Sequence, residues 1–432
     1  MGSAICYPEQ RWKGGVALDF FTMDDFGLGG KMVLVRLDIN SPIDPISGRI
    51  LNDNRLRQHM ATLRELRDSK VAILAHQGRP GKDDFTTMEP HARRLSYYLG
   101  RDVKYVDSLF GRSAVEAIRG LNSGDFLLLE NTRFYSEEMV LKDKDPAQMS
   151  SSHMISILAP QADFFVNDAF AASHRAQPSL VGFCEVIPSL AGRVMENEVR
   201  MLGRAIHSDL KPKIAILGGI KVDDSIAVAR HMLSQRIVDR ILTTGCVANL
   251  FLWAQGKSIG KANEEFLRRE VPACDAVLSE ARRLLKAHED RIWMPSDIVI
   301  NVKGEGKTIA TAELPTDYPI HDVGLDTIVN YLEEISEAEV IILNGPAGVF
   351  EMEEFSVGTQ ELFLGVARSK AFKVVGGGHT VTAVEQLGIS QQIDHISTGG
   401  GSLIYCLAGR SLPVIEALER SKVKFKDARV DG

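Results

Sequence analysis

The stretch KIAILGGIKVDDS, from Lys213 to Ser225, gathers residue types that handle phosphate. Ile214–Leu217 is short, apolar and β-branched, the pattern of a buried parallel strand. Gly218 and Gly219 let the backbone turn without obstruction. Lys221 supplies a cation, and Asp223, Asp224 and Ser225 suit a helix start. Strand, glycine turn, lysine and helix N-terminus make an anion site, or an ordinary joint with a solvated lysine. Three later loops tilt the balance: NGPAGVFE at Asn344–Glu351, GGGHT at Gly376–Thr380 and STGGG at Ser397–Gly401. Each follows an apolar run, and glycines there admit phosphate to backbone N–H groups. Together with Lys221 they predict a nucleotide site. No GxxxxGK[ST] occurs, and no GxGxxG follows a first strand, so P-loop and dinucleotide chemistry are disfavoured.

The first half of the chain carries different chemistry. Arg55, Arg79, Arg133 and Arg175 stand just past strand ends or at a helix start. Each alone reads as a surface residue. Parallel strands, however, bring their C-terminal ends together, and arginine binds carboxylate and phosphate bidentately. With Asp38 and Asn40 after the first strand, and His76 and Gly78 after the second, they predict a basic pocket for a small polyanion. No HExxH, GxSxG or Cys/His array is present, and His231, His288 and His321 read as structural or surface residues.

These residues need a scaffold. Short apolar runs alternate with helical patterns throughout: Met32–Leu37, Val71–Ala75, Val103–Val106, Phe126–Leu129 and Phe164–Val166, then Ile214–Leu217, Arg240–Thr243, Arg291–Met294, Val340–Leu343, Lys373–Val375 and His395–Ile396. That alternation predicts an α/β fold of two doubly wound, parallel-sheet, Rossmann-like lobes. Asn54–Asp68 reads as an amphipathic helix with Arg55 in its first turn, and Pro188–Ile206 as one long helix joining the lobes. The expected division is an N-terminal extension (1–30), an anion-binding lobe (31–190), a hinge helix (188–208) and a nucleotide lobe (209–402).

Composition bounds the rest. The 432 residues, 44% hydrophobic and 25% charged, allow ample core, and a net charge of −7 argues against general nucleic-acid binding. Five cysteines, widely separated and without a CxxC, fit a reducing, cytoplasmic setting. No apolar run approaches a membrane span of ~18 residues, and the first twenty lack a signal-peptide core. No obligate protein partner is evident.

The motifs VLVRLDINSP, AHQGRP, LLLENTRF, FFVNDAFAASHRA, AILGGIKVDD, ILNGPAGVFE, VVGGGHT and HISTGGG occur in this order. From about Lys31 to Leu418 the chain resembles phosphoglycerate kinases, and DINSPID and AHQGRPG resemble their archaeal branch. The resemblance implies reversible in-line phosphoryl transfer, on lobe closure, between ATP and the carboxylate of 3-phosphoglycerate, a step of glycolysis and gluconeogenesis. It implies Mg²⁺, carried as MgATP or MgADP. It assigns Asp38, Asn40, His76, Gly78, Arg79, Arg133 and Arg175 to phosphoglycerate, Arg55 to the reacting carboxylate and Lys221 to the phosphoryl group in flight. Glu351 would hold the ribose. Gly218, Gly219, Asn344, Gly345, Pro346 and Gly348 would shape the nucleotide cleft, Gly324 and Leu325 would lie near the base, and Gly376, Gly377, Gly378, His379 and Thr380 would meet the phosphates. Residues 403–432 would return to the first lobe. Two positions depart from the common pattern: His379 replaces an aspartate that helps hold magnesium, and Ser225 replaces a second lysine. The magnesium would then be held by phosphates and water, or with help from another carboxylate such as Asp223 or Asp224, and no metal ligand is assigned. A related phosphorylated acid as substrate, or a nucleotide-binding scaffold without activity, are the competing readings.

Overall fold

The computed structural model describes residues 18–427. They divide into two compact units, one built from the chain up to Arg200 and from Ser411 onward, the other from Met201–Arg410.

The first unit holds β1 (Phe21–Thr22), β2 (Met32–Arg36), β3 (Lys70–Leu74), β4 (Val103–Tyr105), β5 (Phe126–Leu128), β6 (Phe164–Asn167) and β7 (Ser189–Ala191). Their order is β1-β7-β6-β2-β3-β5-β4, and every pair is parallel. Such a sheet is covered on both faces, so its strands are apolar runs rather than alternating ones. Val33, Val35, Ile73, Leu128 and Val166 pack with Leu63, Leu66 and Leu95 into its core. The chain winds from β2 out to β4, then returns to β6 on the other side of β2. The crevice at that reversal, outside the carboxyl ends of the strands, is where such sheets hold ligands.

The second unit holds β8 (Lys213–Leu217), β9 (Arg240–Thr243), β10 (Ile292–Trp293), β11 (Asp297–Val302), β12 (Glu305–Ala310), β13 (Ile320–Val323), β14 (Val340–Asn344), β15 (Phe372–Gly376) and β16 (His395–Ile396). A parallel sheet runs β10-β9-β8-β14-β15-β16. Its reversal falls between β8 and β14, both of which end in glycine loops. A separate antiparallel sheet, β12-β11-β13, was not foreseen. Its outer strand, EGKTIA, is mostly exposed and lacks the apolar signal of a strand.

Several expectations shift. Residues 1–17 of the expected extension lie outside the described residues, but residues 18–30 are built into the first unit. Phe20, Phe21 and Met23 are buried, β1 pairs with β7, and Lys422 Nζ donates to the carbonyls of Leu18 (2.9 Å) and Phe20 (3.3 Å). Pro188–Ile206 is not one helix. Ser189–Ala191 joins the sheet beside β6, and the helix spans Arg193–His207. Gly192 separates them because the Asp168 carboxylate fills the space a side chain would take; a Cβ there would stand 2.3 Å from Asp168 Oδ1. The helix expected over Asn54–Asp68 breaks at His59 into Asn54–Gln58 and Met60–Glu65. The return to the first unit begins at Ser411 rather than at 403, since the helix Gly400–Leu407 belongs to the second unit and Pro413–Lys424 to the first. No helix among the described residues is long and apolar enough to cross a membrane.

Candidate active site

In the first unit the loops after β2, β3, β5 and β6 converge as a parallel sheet requires. Asp38 is 5% exposed and pairs with Arg55, whose Nη1 lies 2.8 Å from Oδ1. Burial pushes the Asp38 carboxyl up, but the Arg55 guanidinium, with Arg36 behind it, holds it well below the ordinary carboxylate range. Asn40 Oδ1 accepts from Gly78 N at 2.8 Å, tying the loop after β2 to the loop after β3. Arg133 Nη1 donates to Gly78 O, adding the loop after β5. Asn131 secures that junction, its Nδ2 donating to Gln77 O and Thr86 O, both at 2.8 Å.

The cations crowd one another. Burial holds the Arg133 guanidinium down to about 10, reinforced by Arg175 and Arg36. Burial likewise lowers Arg175, and Arg79 and Arg55 add repulsion. Arg175 Nε reaches His174 Nε2 at 3.1 Å, while Arg79 is exposed. Thus Arg55, Arg79, Arg133 and Arg175, scattered over the sequence, act on one another through space.

Behind these residues is a second layer that no local motif announces. Arg36, at the end of β2, is 1% exposed and looked like part of an apolar strand. Its Nη2 donates to His76 Nδ1 at 2.9 Å and its Nε to Ser179 Oγ at 3.0 Å. Ser179 Oγ in turn donates to buried Glu138 Oε1 at 2.6 Å. A guanidinium donating to Nδ1 requires a neutral imidazole, in keeping with burial driving the His76 pKa well down. His59 bridges Asp38 O (3.1 Å) and Asp168 Oδ2 (2.8 Å). Asp168, fully buried, also accepts from Thr62 Oγ1 (2.7 Å), Val194 N (2.8 Å) and Met195 N (3.2 Å). One carboxylate therefore caps the helix Arg193–His207 and, through His59, braces the Asp38 loop. No local pattern announces it, because its partners lie 106 and 109 residues away.

In the second unit the glycine loops after β8 and β14 interlock. Gly218 N donates to Asn344 O and Gly219 N to Pro346 O, both at 2.9 Å. Gly345 has φ +98°, and a Cβ on it would lie 2.1 Å from Gly218 O. Gly345 N donates to Thr380 Oγ1 (2.8 Å), which ties in the helix Gly378–Gln386 after β15. Gly376 and Gly377 end that strand under Leu403 and Asn344, whereas Gly378 and His379 are exposed at the helix start. Lys221 is exposed and immediately precedes the helix Val222–Ser234. Burial and Asp223 raise the neighbouring Asp224 carboxyl, and Lys221 and Arg410 oppose the rise.

Beside these loops is a cavity of about 480 Å³ whose lining includes Gly219, Pro346, Gly348, Glu351 and His379 together with Cys246, Asn249, Phe266, Ile298 and Val323. Gly324 and Leu325 do not line it. Gly324 lies against Asp297, whose carboxylate accepts from Asp326 N and Thr327 N, and Leu325 is 65% exposed. Asp322 lines the cavity, and burial pushes its carboxyl up to about 7. Among the described residues no group of three or more His, Cys, Asp or Glu side chains stands ready for a metal ion.

A family model described as phosphoglycerate kinase matches residues 23–410. The chain is 48% identical over 408 residues to the phosphoglycerate kinase of Thermoplasma acidophilum, covering 94% of this chain and 99% of that protein. It is 49% identical over 405 residues to that of Methanothermus fervidus, covering 93% and 98%. The crystal structure of phosphoglycerate kinase from Pyrococcus horikoshii OT3 matches with a TM-score of 0.86 and 41% identity, over 94% of this chain and 100% of that one.

Proposed function

The chain belongs to the phosphoglycerate kinase family, and from that premise we propose how its own residues divide the reaction. The enzyme transfers a phosphoryl group reversibly between ATP and 3-phosphoglycerate, giving 1,3-bisphosphoglycerate and ADP. A carboxylate oxygen forms the new bond to the γ-phosphorus while the bond to the β,γ-bridging oxygen breaks, and that oxygen leaves on ADP. The acceptor is already ionised, so no general base is needed, and catalysis is positioning and charge neutralisation.

The observation that carries the assignment is the crowding of buried cations in the first unit. Burial, reinforced by neighbouring guanidiniums, lowers the proton affinity of Arg133 and Arg175, so both are held where an anion would relieve them. On this reading Arg79, Arg133 and Arg175, with Asn40, His76 and Gly78, receive the phosphate and hydroxyl groups of phosphoglycerate. Arg55 swings between Asp38 and the reacting carboxylate. Arg36 keeps His76 neutral and oriented. In the second unit Lys221 faces the phosphoryl group, the glycine loops and Gly376–Thr380 take the nucleotide phosphates, and Glu351 holds the ribose hydroxyls. Bringing the two ligands into line, with water excluded, is the task we assign to lobe closure about the helix Arg193–His207.

Magnesium binds through oxygen, commonly one or two carboxylates together with substrate phosphates. Asp223 and Asp224, two and three residues past Lys221, fit that donor set, and the imidazole of His379 does not. Bound there, the ion would neutralise charge on the β- and γ-phosphates. Cys184, Cys246, Cys274 and Cys406 form no disulfide, which supports a reducing cytoplasmic setting.

The test is a coupled assay with MgATP and 3-phosphoglycerate, feeding glyceraldehyde-3-phosphate dehydrogenase and following NADH loss. Turnover requiring all components is expected, with 2-phosphoglycerate inactive. Lys221→Ala should lower kcat by ~10²-fold or more while the KM for ATP moves little. Full activity in that variant refutes the role of Lys221. Nucleotide binding without turnover by the wild type refutes the catalytic reading.

A further inference from the structure

Asp38 is gripped twice by one short helical segment. Arg55 Nη1 pairs with its carboxylate at 2.8 Å, and His59 Nε2 lies 3.1 Å from its backbone carbonyl oxygen. Residues four apart share a helix face, so Arg55 and His59 reach Asp38 from the same side. His59 is also where the helix Asn54–Gln58 breaks before Met60–Glu65, with φ −78° and ψ −4°. Its side chain is 4% exposed, and its second ring nitrogen, Nδ1, lies 2.8 Å from Asp168 Oδ2.

Both partners of this ring are acceptors. A carbonyl oxygen has no hydrogen to give, so Nε2 donates to Asp38 O. Asp168 already receives Thr62 Oγ1, Val194 N and Met195 N. The Thr62 hydroxyl itself accepts from Arg193 N at 2.9 Å, which leaves its hydrogen for Asp168. Three such donors suit a carboxylate, which only accepts, so Nδ1 donates as well. A neutral imidazole has one N–H. Whichever nitrogen lacked it would turn a lone pair onto an acceptor inside the protein, and the buried acceptor would lose its hydrogen bond. An imidazolium satisfies both ends.

We propose that His59 is a positioning residue for phosphoglycerate: as a buried imidazolium it ties the Asp38 backbone to Asp168 and so sets the Asp38–Arg55 pair in place. His59 works through Asp38 and is not itself a ligand of the substrate. Asp168 is fixed at the start of the helix Arg193–His207 by Val194 N and Met195 N, and the ring carries that fixed point to the loop after β2. The inference rests on Asp38 and Arg55 belonging to the phosphoglycerate site.

Two measurements on the full-length protein test it. The first is a proton–nitrogen NMR correlation of histidine-labelled wild type at neutral pH. Both His59 ring nitrogens should show the shifts of an imidazolium, assigned by their loss in His59→Gln. One bare nitrogen overturns the charged brace. Adding 3-phosphoglycerate should move the Nε2 signal, because Arg55 leaves Asp38 for the substrate. An unmoved signal at saturation breaks the link to binding, whether or not any variant folds.

The second is steady-state kinetics of wild type, His59→Gln, His59→Ala and Arg55→Ala, each checked by thermal unfolding. Glutamine donates from a single nitrogen and serves one partner only. Both His59 variants should raise the KM for 3-phosphoglycerate roughly tenfold, with kcat and the KM for ATP changed by less than about threefold. An unchanged KM for 3-phosphoglycerate in both, with Arg55→Ala impaired, overturns positioning by His59. A KM for ATP that rises in step overturns it too, because the loss is then general. If Arg55→Ala also behaves as wild type, the assignment of Arg55 and Asp38 to the substrate fails, and the inference with it.

Discussion

Replacing Asp168 by alanine removes a fully buried carboxylate that serves four donors: His59 Nδ1, Thr62 Oγ1, Val194 N and Met195 N. Alanine leaves two N–H groups at the start of the helix Arg193–His207 without an acceptor, and a helix cap is worth ~1 kcal/mol. The His59 and Thr62 bonds go to the same carboxyl group, and each is worth roughly 0.5–1.5 kcal/mol net, more where a charge assists it. A buried donor left without an acceptor costs about 1–3 kcal/mol. With four donors affected, we commit to ~4 kcal/mol, the low end of that penalty for each. Because the chain has two units, a single unfolding free energy is ill defined. The suitable assay is native-state hydrogen exchange on a peptide spanning residues 188–200. A loss of ~4 kcal/mol speeds exchange there by about three orders of magnitude, up to the limit set by global opening. Asp168→Asn should lose roughly half as much, because its Oδ1 still accepts from the helix N–H groups while its amide faces His59 and Thr62 with hydrogens. Exchange in Asp168→Ala within about tenfold of wild type would refute the claim that this carboxylate anchors the helix.

Asp322 makes the second unit sensitive to pH. Burial raises its carboxyl from 3.8 to about 7. Between those values the folded state binds more protons than the unfolded one, so stability is full below ~4, falls by up to about 1.4 kcal/mol per pH unit, and levels off above ~7. Asp322→Asn should flatten the thermal-unfolding profile of the second unit between pH 5 and 7, and an unaltered slope would show that Asp322 is not its source. Gly345→Ala should cripple nucleotide binding, since its Cβ would fall within 2.2 Å of the Gly218 carbonyl carbon and oxygen, which belong to the facing loop and cannot rotate away. Together with φ +98°, this predicts at least a tenfold weaker ADP affinity by calorimetry, against ~1–3 kcal/mol of backbone strain.

How far the sequence reveals the site depends on the distance over which each signal acts. The arginines after strands β3, β5 and β6 could be grouped because the parallel sheet itself does the grouping: once the runs are read as parallel strands, their ends coincide. The glycine loops after β8 and β14 were legible for the same reason. Arg36 was not, because MVLVRL reads as a strand, and only the fold reveals that its guanidinium turns into a buried network with His76, Ser179 and Glu138. Asp168 was visible as a polar residue at a strand end, but its role depends on His59 and Thr62, more than a hundred residues away. The helix expected from Pro188 failed at a single glycine, whose missing side chain makes room for that same carboxylate.

Ser225 stands where the resemblance to phosphoglycerate kinases implies a second lysine. Ser225 is 1% exposed, turned inward on the helix Val222–Ser234. A lysine there would need its aliphatic stem to carry the ammonium out of the protein interior, and the cost of desolvating it would offset part of what it offers a phosphate. Serine avoids that cost and leaves Lys221, exposed at the same helix start, as the cation of the loop. On the proposed assignment no second lysine stands at this helix start to share the role of Lys221, so its removal is expected to appear in kcat.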